Sequence, residues 1–166
     1  MADLAAMMAR HARAGRVDWI GLRPARRAGV QPVDRAEIAE DGLRGDHGRP
    51  GKRAVTLLQA EHLAVIAALL GRDDLPPEIL RRNIVVSGIN LLALRHAEIA
   101  LGGARLRVEG PCPPCSRMEE YLGPGGYSAV RGHGGVYASV VAPGPVAPGD
   151  AVTRVGPRGE RGAVSR

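Results

Sequence analysis

A mostly β domain with a few helices (α+β), closed or partly closed into a barrel, is the fold class this sequence predicts. Three observations lead there. Short apolar runs of strand length recur along the chain, separated by Gly- and Pro-rich turns. Helical periodicity surfaces in few places, without the regular strand–helix–strand alternation of a doubly wound sheet. And 166 residues, 45% hydrophobic and 24% charged, suit one domain that builds its own core without disulfides or metal.

The elements follow in chain order. Residues 1–16 read as a helix or a frayed arm, with Leu4, Met7, Met8 and His11 at helical spacing. From residue 17 to 156 runs the domain proper. Val17, Trp19, Ile20 and Leu22 mark a strand within 16–23, stopped by Pro24; residues 27–33 form a second, with Pro32 at an edge or end. Residues 36–53 hold four glycines and Pro50, the composition of a long loop. Residues 54–58 are a strand. Residues 59–70 are a helix, with Leu63, Ile66, Ala67 and Leu70 on one face and Gly71 at its end. Pro76 and Pro77 open a short helix through Leu80. Residues 84–86 are a buried strand. Residues 98–100 and 105–108 flank Gly102-Gly103 as a hairpin. Residues 116–122 are a short helix, with Ser116 as N-cap and Glu119 completing a capping box. After the glycine-rich loop 132–135, residues 136–141 and 151–155 are the closing strands, and 157–166 form a disordered tail.

Composition narrows the function. The chain has 23 Lys+Arg against 17 Asp+Glu, a net charge of +6, and Lys52 is its only lysine. Each end contributes +2, leaving only +2 for residues 17–156, so the arginine excess reads as compositional habit. With no Phe, one Trp and three Tyr, the chain lacks the stacking platforms of single-strand binders, and no specific nucleic-acid partner is expected. No run approaches the ~20 apolar residues of a membrane helix, and Met1 to Arg16 lacks the apolar centre of a signal peptide. A cytoplasmic protein without a membrane partner is expected.

Pro111-Cys112-Pro113-Pro114-Cys115-Ser116 is the sharpest motif, set between a strand and a helix. The prolines stiffen the turn and remove donors. A thiol at a helix start meets the positive dipole end, which favours the thiolate, so Cys115 is the better placed of the two. Four readings stay open: a single working thiolate, a thioredoxin-like dithiol, half of a zinc site completed by two of His47, His62, His96 and His133, or two incidental cysteines in a stiff turn. Arg81-Arg82-Asn83 runs into a strand, whose alternation would put Arg81 and Asn83 on one face, as a cradle for an oxyanion, and Arg82 on the other. Asp46 and His47 in the 42–48 loop, and His133 in the 131–135 loop, could line an anion pocket or merely turn the chain.

In order, Gly42-Leu43-x-Gly45-Asp46, Arg81-x-Asn83-Ile84-Val85-x-Ser87-Gly88, the Ala104-x-Leu106-x-Val108 strand after a glycine, Pro114-Cys115 and a terminal Pro148-Gly149-Asp150 resemble the MOSC domain, found at the C-terminus of molybdenum cofactor sulfurases. The resemblance implies a β-barrel related to the barrel domain of pyruvate kinase. It implies a site for the molybdopterin-type molybdenum cofactor, with Cys115 as catalytic thiolate and molybdenum ligand, or as sulfur carrier. Arg81, Asn83, Ser87, Asp46 and His133 would bind the cofactor, and Cys112 is a thiol additional to the family pattern. The chemistry implied is reduction of N-hydroxylated substrates or sulfur transfer. No flavin, haem or iron–sulfur motif is visible, so an external electron donor, or a sulfur donor or acceptor protein, would be the partner. The rival readings are a non-enzymatic carrier of cofactor or anion, and a thiol–disulfide redox protein.

Overall fold

The computed structural model describes residues 3–156; the tail expected over 157–166 lies outside them. The chain forms α1 (Leu4–Met8), β1 (Gly15–Leu22), β2 (Gln31–Val33), β3 (Ala36–Ala39), β4 (Gly42–Leu43), β5 (Val55–Gln59), α2 (Ala60–Leu69), β6 (Ile84–Ser87), β7 (Glu98–Leu101), β8 (Ala104–Pro111), α3 (Ser116–Leu122), α4 (Gly126–Val130), β9 (Val136–Ala142), β10 (Gly144–Val146) and β11 (Ala151–Arg154). Single 3-10 turns cover Gly51–Arg53 and Leu91–Leu94.

The expected barrel is present, and it is closed. Seven strands follow one another in the order β11-β7-β8-β9-β5-β6-β1, and β1 pairs back onto β11 through Gly15↔Val152 and Arg16↔Ala151. Closure leaves few unpaired edges. β2 extends β1 beyond the closing joint, and β10, β3 and β4 form a small separate sheet. Neighbours in the ring are antiparallel except β5 and β6, which are parallel and therefore need a crossover. α2 and the segment to Leu80 supply it.

Alternation sorts the side chains into two cores. Leu57, Ile84 and Val86 point into the barrel with Val17, Ile20, Ile99, Leu101, Leu106 and Val108. Leu58 and Val85 point outward, where Ile66, Ala67, Leu80, Met118, Leu122, Ala129 and Val130 cover them. β5 is buried on both faces, so its apolar residues do not alternate with exposed polar ones, and even Thr56 and Gln59 are buried. Each such Leu or Ile contributes ~1.5–3 kcal/mol by leaving water.

Several sequence expectations need correcting. The segment 36–53 is not one loop: glycine at 42, with φ +125° and no room for a Cβ against the Ala54 carbonyl, allows β3 and β4 to turn on each other. Pro76 and Pro77 start only a turn, not a helix. The second strand shrinks from 27–33 to Gln31–Val33, because Arg27 has a positive φ. The N-cap of α3 is Cys115 rather than Ser116, and no side chain caps it. Glu119 instead accepts from the Tyr127 N–H at 3.0 Å, tying α3 to α4, an element hidden by its glycine-rich start. Gly71 does end α2, with φ +68° and the Arg72 N–H returning to the Ala67 carbonyl.

Candidate functional site

β1 and β8 run out, and β5, β6 and β9 begin, around one open cavity of about 640 Å³. Arg23 and Arg26 reach it from the end of β1, and His47, Gly48 and Arg49 from the loop after β4. Arg53 comes from the 3-10 turn, Thr56 from β5, Arg82 from just before β6 and Tyr137 from β9. Cys112, Pro113, Cys115 and Arg117 complete the wall. Six arginines therefore converge on one space. Among the described residues no Asp or Glu lines it, and only Arg23 has a carboxylate within ion-pair distance.

Each guanidinium is placed by local structure. Arg23 is clamped by Asp46: Nε and Nη2 donate to the two carboxylate oxygens at 3.0 and 2.8 Å, and the Arg23 backbone N–H donates at 2.7 Å. The Gly48 N–H adds a fourth bond at 2.9 Å. Burial alone would raise the Asp46 pKa, but the bonds and charge of Arg23, helped by Asn83, outweigh it and hold the carboxyl below its ordinary 3.8. Arg82 donates from Nε to the Gly134 carbonyl at 2.8 Å. Arg53 lies over the Tyr137 ring, 4.6 Å from its centre.

A pH dependence follows from Asp46. A carboxyl whose pKa is lower in the folded state than the ordinary 3.8 contributes stability above that value. That contribution disappears as pH falls through the folded-state pKa. Urea denaturation of wild type and Asp46→Asn between neutrality and about pH 2 should show their stabilities converging on the acid side. A constant gap would refute this role.

The two cysteines are both reduced and both face the cavity, at different depths. Cys115 is exposed, whereas Cys112 is 8% exposed. Burial pushes the Cys112 thiol up from its ordinary value of 9.0, against the opposing pull of Arg82, Arg53 and Arg23.

Of the residues expected to surround a cofactor, the cavity brings in Cys115 but not the others directly. Arg81 was expected on the site face and Arg82 on the other; the phase is the reverse. Arg81 has φ +57° and lies before the strand begins, so alternation does not reach it, and its Nη1 donates to the Ala28 carbonyl. Asn83 is fully buried: its Oδ1 accepts from the N–H and hydroxyl of Thr56, both at 3.2 Å, and its amide donates to the Gly21 carbonyl at 3.3 Å. It joins β1, β5 and β6, and because it is fully buried and does not line the cavity, it is closed off from a ligand there. Ser87, at the far end of β6, donates to Asp18. Asp46 acts through Arg23. His133 lies outside the cavity, edge-on to His62 with ring centres 5.1 Å apart. The residues that sequence reasoning missed are the arginines. The run Arg49, Lys52 and Arg53, without an acid before Glu61, is the signal that could have found two of them.

A family model described as the MOSC domain matches residues 41–153. The fold is similar to that of YuaD from Bacillus subtilis, at 20% identity and a TM-score of 0.74, over 84% of this chain and 94% of that one. It is also similar to YiiM from Geobacillus stearothermophilus (17% identity, TM-score 0.73, 86% and 75% covered) and YiiM from Escherichia coli (21% identity, TM-score 0.67, 86% and 70% covered). At these identities the likeness is one of fold. No protein of curated function matches the sequence. With the model spanning most of the barrel and the solved structures agreeing in architecture, the chain belongs to the MOSC domain family.

Proposed function

We propose that the cavity binds the molybdenum cofactor, with Cys115 as the soft thiolate facing the metal or carrying sulfur for it. One observation carries the reading. Five arginines without a carboxylate partner among the described residues, and an exposed thiol, line a single cavity that no acid lines. A donor set of guanidiniums and sulfur fits a group that joins a phosphate to a thiophilic metal. Arg82, Arg53, Arg26, Arg49 and Arg117 are the residues to hold the anionic part, and Cys115 the one to meet the metal. Bound there, the cofactor would supply redox chemistry suited to reducing N-hydroxylated substrates, with electrons from an external donor. The protein's own part is to preorganise the cations. The Asp46 clamp on Arg23 and the Gly134 carbonyl on Arg82 fix two of them before any ligand arrives. His47 and Tyr137 are the wall residues able to pass a proton.

Elemental analysis of protein from a cofactor-producing host tests this. Molybdenum with turnover of an N-hydroxylated compound identifies an enzyme, and molybdenum without turnover a carrier. Sulfane sulfur on Cys115 identifies sulfur transfer. Absence of both metal and sulfane sulfur overturns the proposal. Within the site, Arg82→Ala should weaken cofactor binding by ~1.5–3 kcal/mol, the scale of a charge-assisted hydrogen bond. Arg81→Ala should leave it within about twofold, because its guanidinium serves Ala28. A titration in which Arg81→Ala has the larger effect would contradict the assigned faces.

A further inference from the structure

Five arginines without a carboxylate partner among the described residues are more than one phosphate needs. A phosphate monoester carries about −1.5 to −2 at neutral pH, so about three positive charges are left for whatever else enters the cavity. A cleft lined by one sign of charge concentrates solutes of the opposite sign. Four of the five reach the cavity from other parts of the chain: Arg26 after β1, Arg49 after β4, Arg53 from the 3-10 turn and Arg82 before β6. Arg117 stands apart from them. It is carried on the same segment as Cys115, two residues on, in the first turn of α3. Their Cα atoms are therefore at most ~7 Å apart, and both residues line the cavity. Arg117 is partly buried, and among the described residues no carboxylate lies within ion-pair distance of it. The acids of α3 itself do not neutralise it. Glu119 accepts from the Tyr127 N–H at 3.0 Å, and neither Glu119 nor Glu120 lines the cavity.

We propose that Arg117 is a specificity-determining residue: the small molecule that reacts at the Cys115 end of the cavity bears a carboxylate, which the Arg117 guanidinium docks. One guanidinium fork matches one carboxylate, N–H for oxygen, and cancels its charge one to one. Arg117 thus touches the acid group of the substrate and not the reacting atoms. The exposed sulfur and the partly buried cation are set side by side by the chain itself, whatever the ligand. A neutral compound of the same shape would leave that cation without a partner inside the cavity. The other arginines keep the cofactor's phosphate, away from the sulfur. The inference rests on the reading that Cys115 is the working sulfur of this cavity. It adds the class of compound that the sulfur, or the metal it faces, would meet.

The test alkylates metal-free full-length protein with iodoacetate and, separately, with iodoacetamide, which has the same size without the charge. Modification of Cys115 is followed by peptide mass analysis. Both reagents react with the same thiolate, so the ratio of their rates cancels its abundance and reports the preference for an acid group. Relative to the ratio for β-mercaptoethanol, the ratio at Cys115 should be raised at least about tenfold in dilute buffer. It should fall toward the free-thiol value in concentrated potassium chloride. Arg117→Gln should lower it about threefold or more, the effect of one charge at this range. Arg117→Lys, which keeps the charge and loses the fork, should lower it less, as should Arg26→Gln on the opposite side of the chain's path into the cavity. A wild-type ratio equal to that of the free thiol would overturn the inference, as would an Arg26→Gln effect as large as that of Arg117→Gln. The wild-type ratio and its salt dependence decide it even where a variant fails to fold. Molybdenum retained by a protein without the iodoacetate preference would sink this inference and leave the cofactor reading standing. The preference in a protein that takes up neither metal nor sulfane sulfur would overturn the cofactor reading and leave Arg117 as the docking residue.

Discussion

Cys115→Ser protein is expected to leave a cofactor-producing host without molybdenum, while Cys112→Ser protein retains most of it. The hydroxyl is a hard donor with little affinity for a thiophilic metal, and no other exposed sulfur lines the cavity among the described residues. Cys112 is shielded by the wall and is 8% exposed, so its loss touches the metal position less. Metal content per mole, measured beside a circular dichroism spectrum that confirms folding, separates the two. Equal metal in both variants would remove Cys115 from the proposed site. The melting temperature of Cys115→Ser should not fall below wild type, since the exposed cysteine makes no capping bond and serine is a favoured residue at the α3 N-cap.

Asn83→Ala should be the most destabilising polar substitution in the domain, by about 3–5 kcal/mol. Its side chain is the acceptor for two donors of Thr56 and the partner of the Gly21 carbonyl, all inside the protein. Alanine would leave those groups buried and unpaired, each costing ~1–3 kcal/mol. Ser87→Ala, four residues along the same segment, should change stability by less than about 0.5 kcal/mol, because its bond to Asp18 is exposed. Urea denaturation measures both. An Asn83→Ala protein as stable as wild type would mean that the amide is not what joins the three strands.

The contrast between these residues shows what the sequence could convey. Strands and helices announced by periodicity were legible: β5 by its apolar run, α2 by its stripe and Gly71, the β7–β8 hairpin by Gly102-Gly103. Elements too short for a period were not. β4 has two residues and β10 three, and pairing with β3 rather than propensity holds them. The cysteine segment between β8 and α3 was legible because proline and sulfur are chemically distinctive. The arginines around it were not, because a net charge is a sum over the chain and a cavity is a sum over space. Arg23, Arg49, Arg82 and Arg117 sit in different segments, and only the barrel makes them neighbours. Arg81 lies away from the cavity lining for a local reason. It lies three residues before β6 begins, at a left-handed φ where strand alternation has no force.

The joint between β1 and β11 has a kinetic meaning. It pairs residues 15 and 16 with 152 and 151, almost the full described length apart in sequence. Loop-closure entropy must be met before that pairing returns any stability, so the ring is sealed by its most non-local contact. High contact order of this kind slows folding. While the ring stands open, β1 and β11 expose unpaired edges to other chains. Aggregation is therefore governed less by the finished surface, which has few edges, than by how long the last seam takes to close.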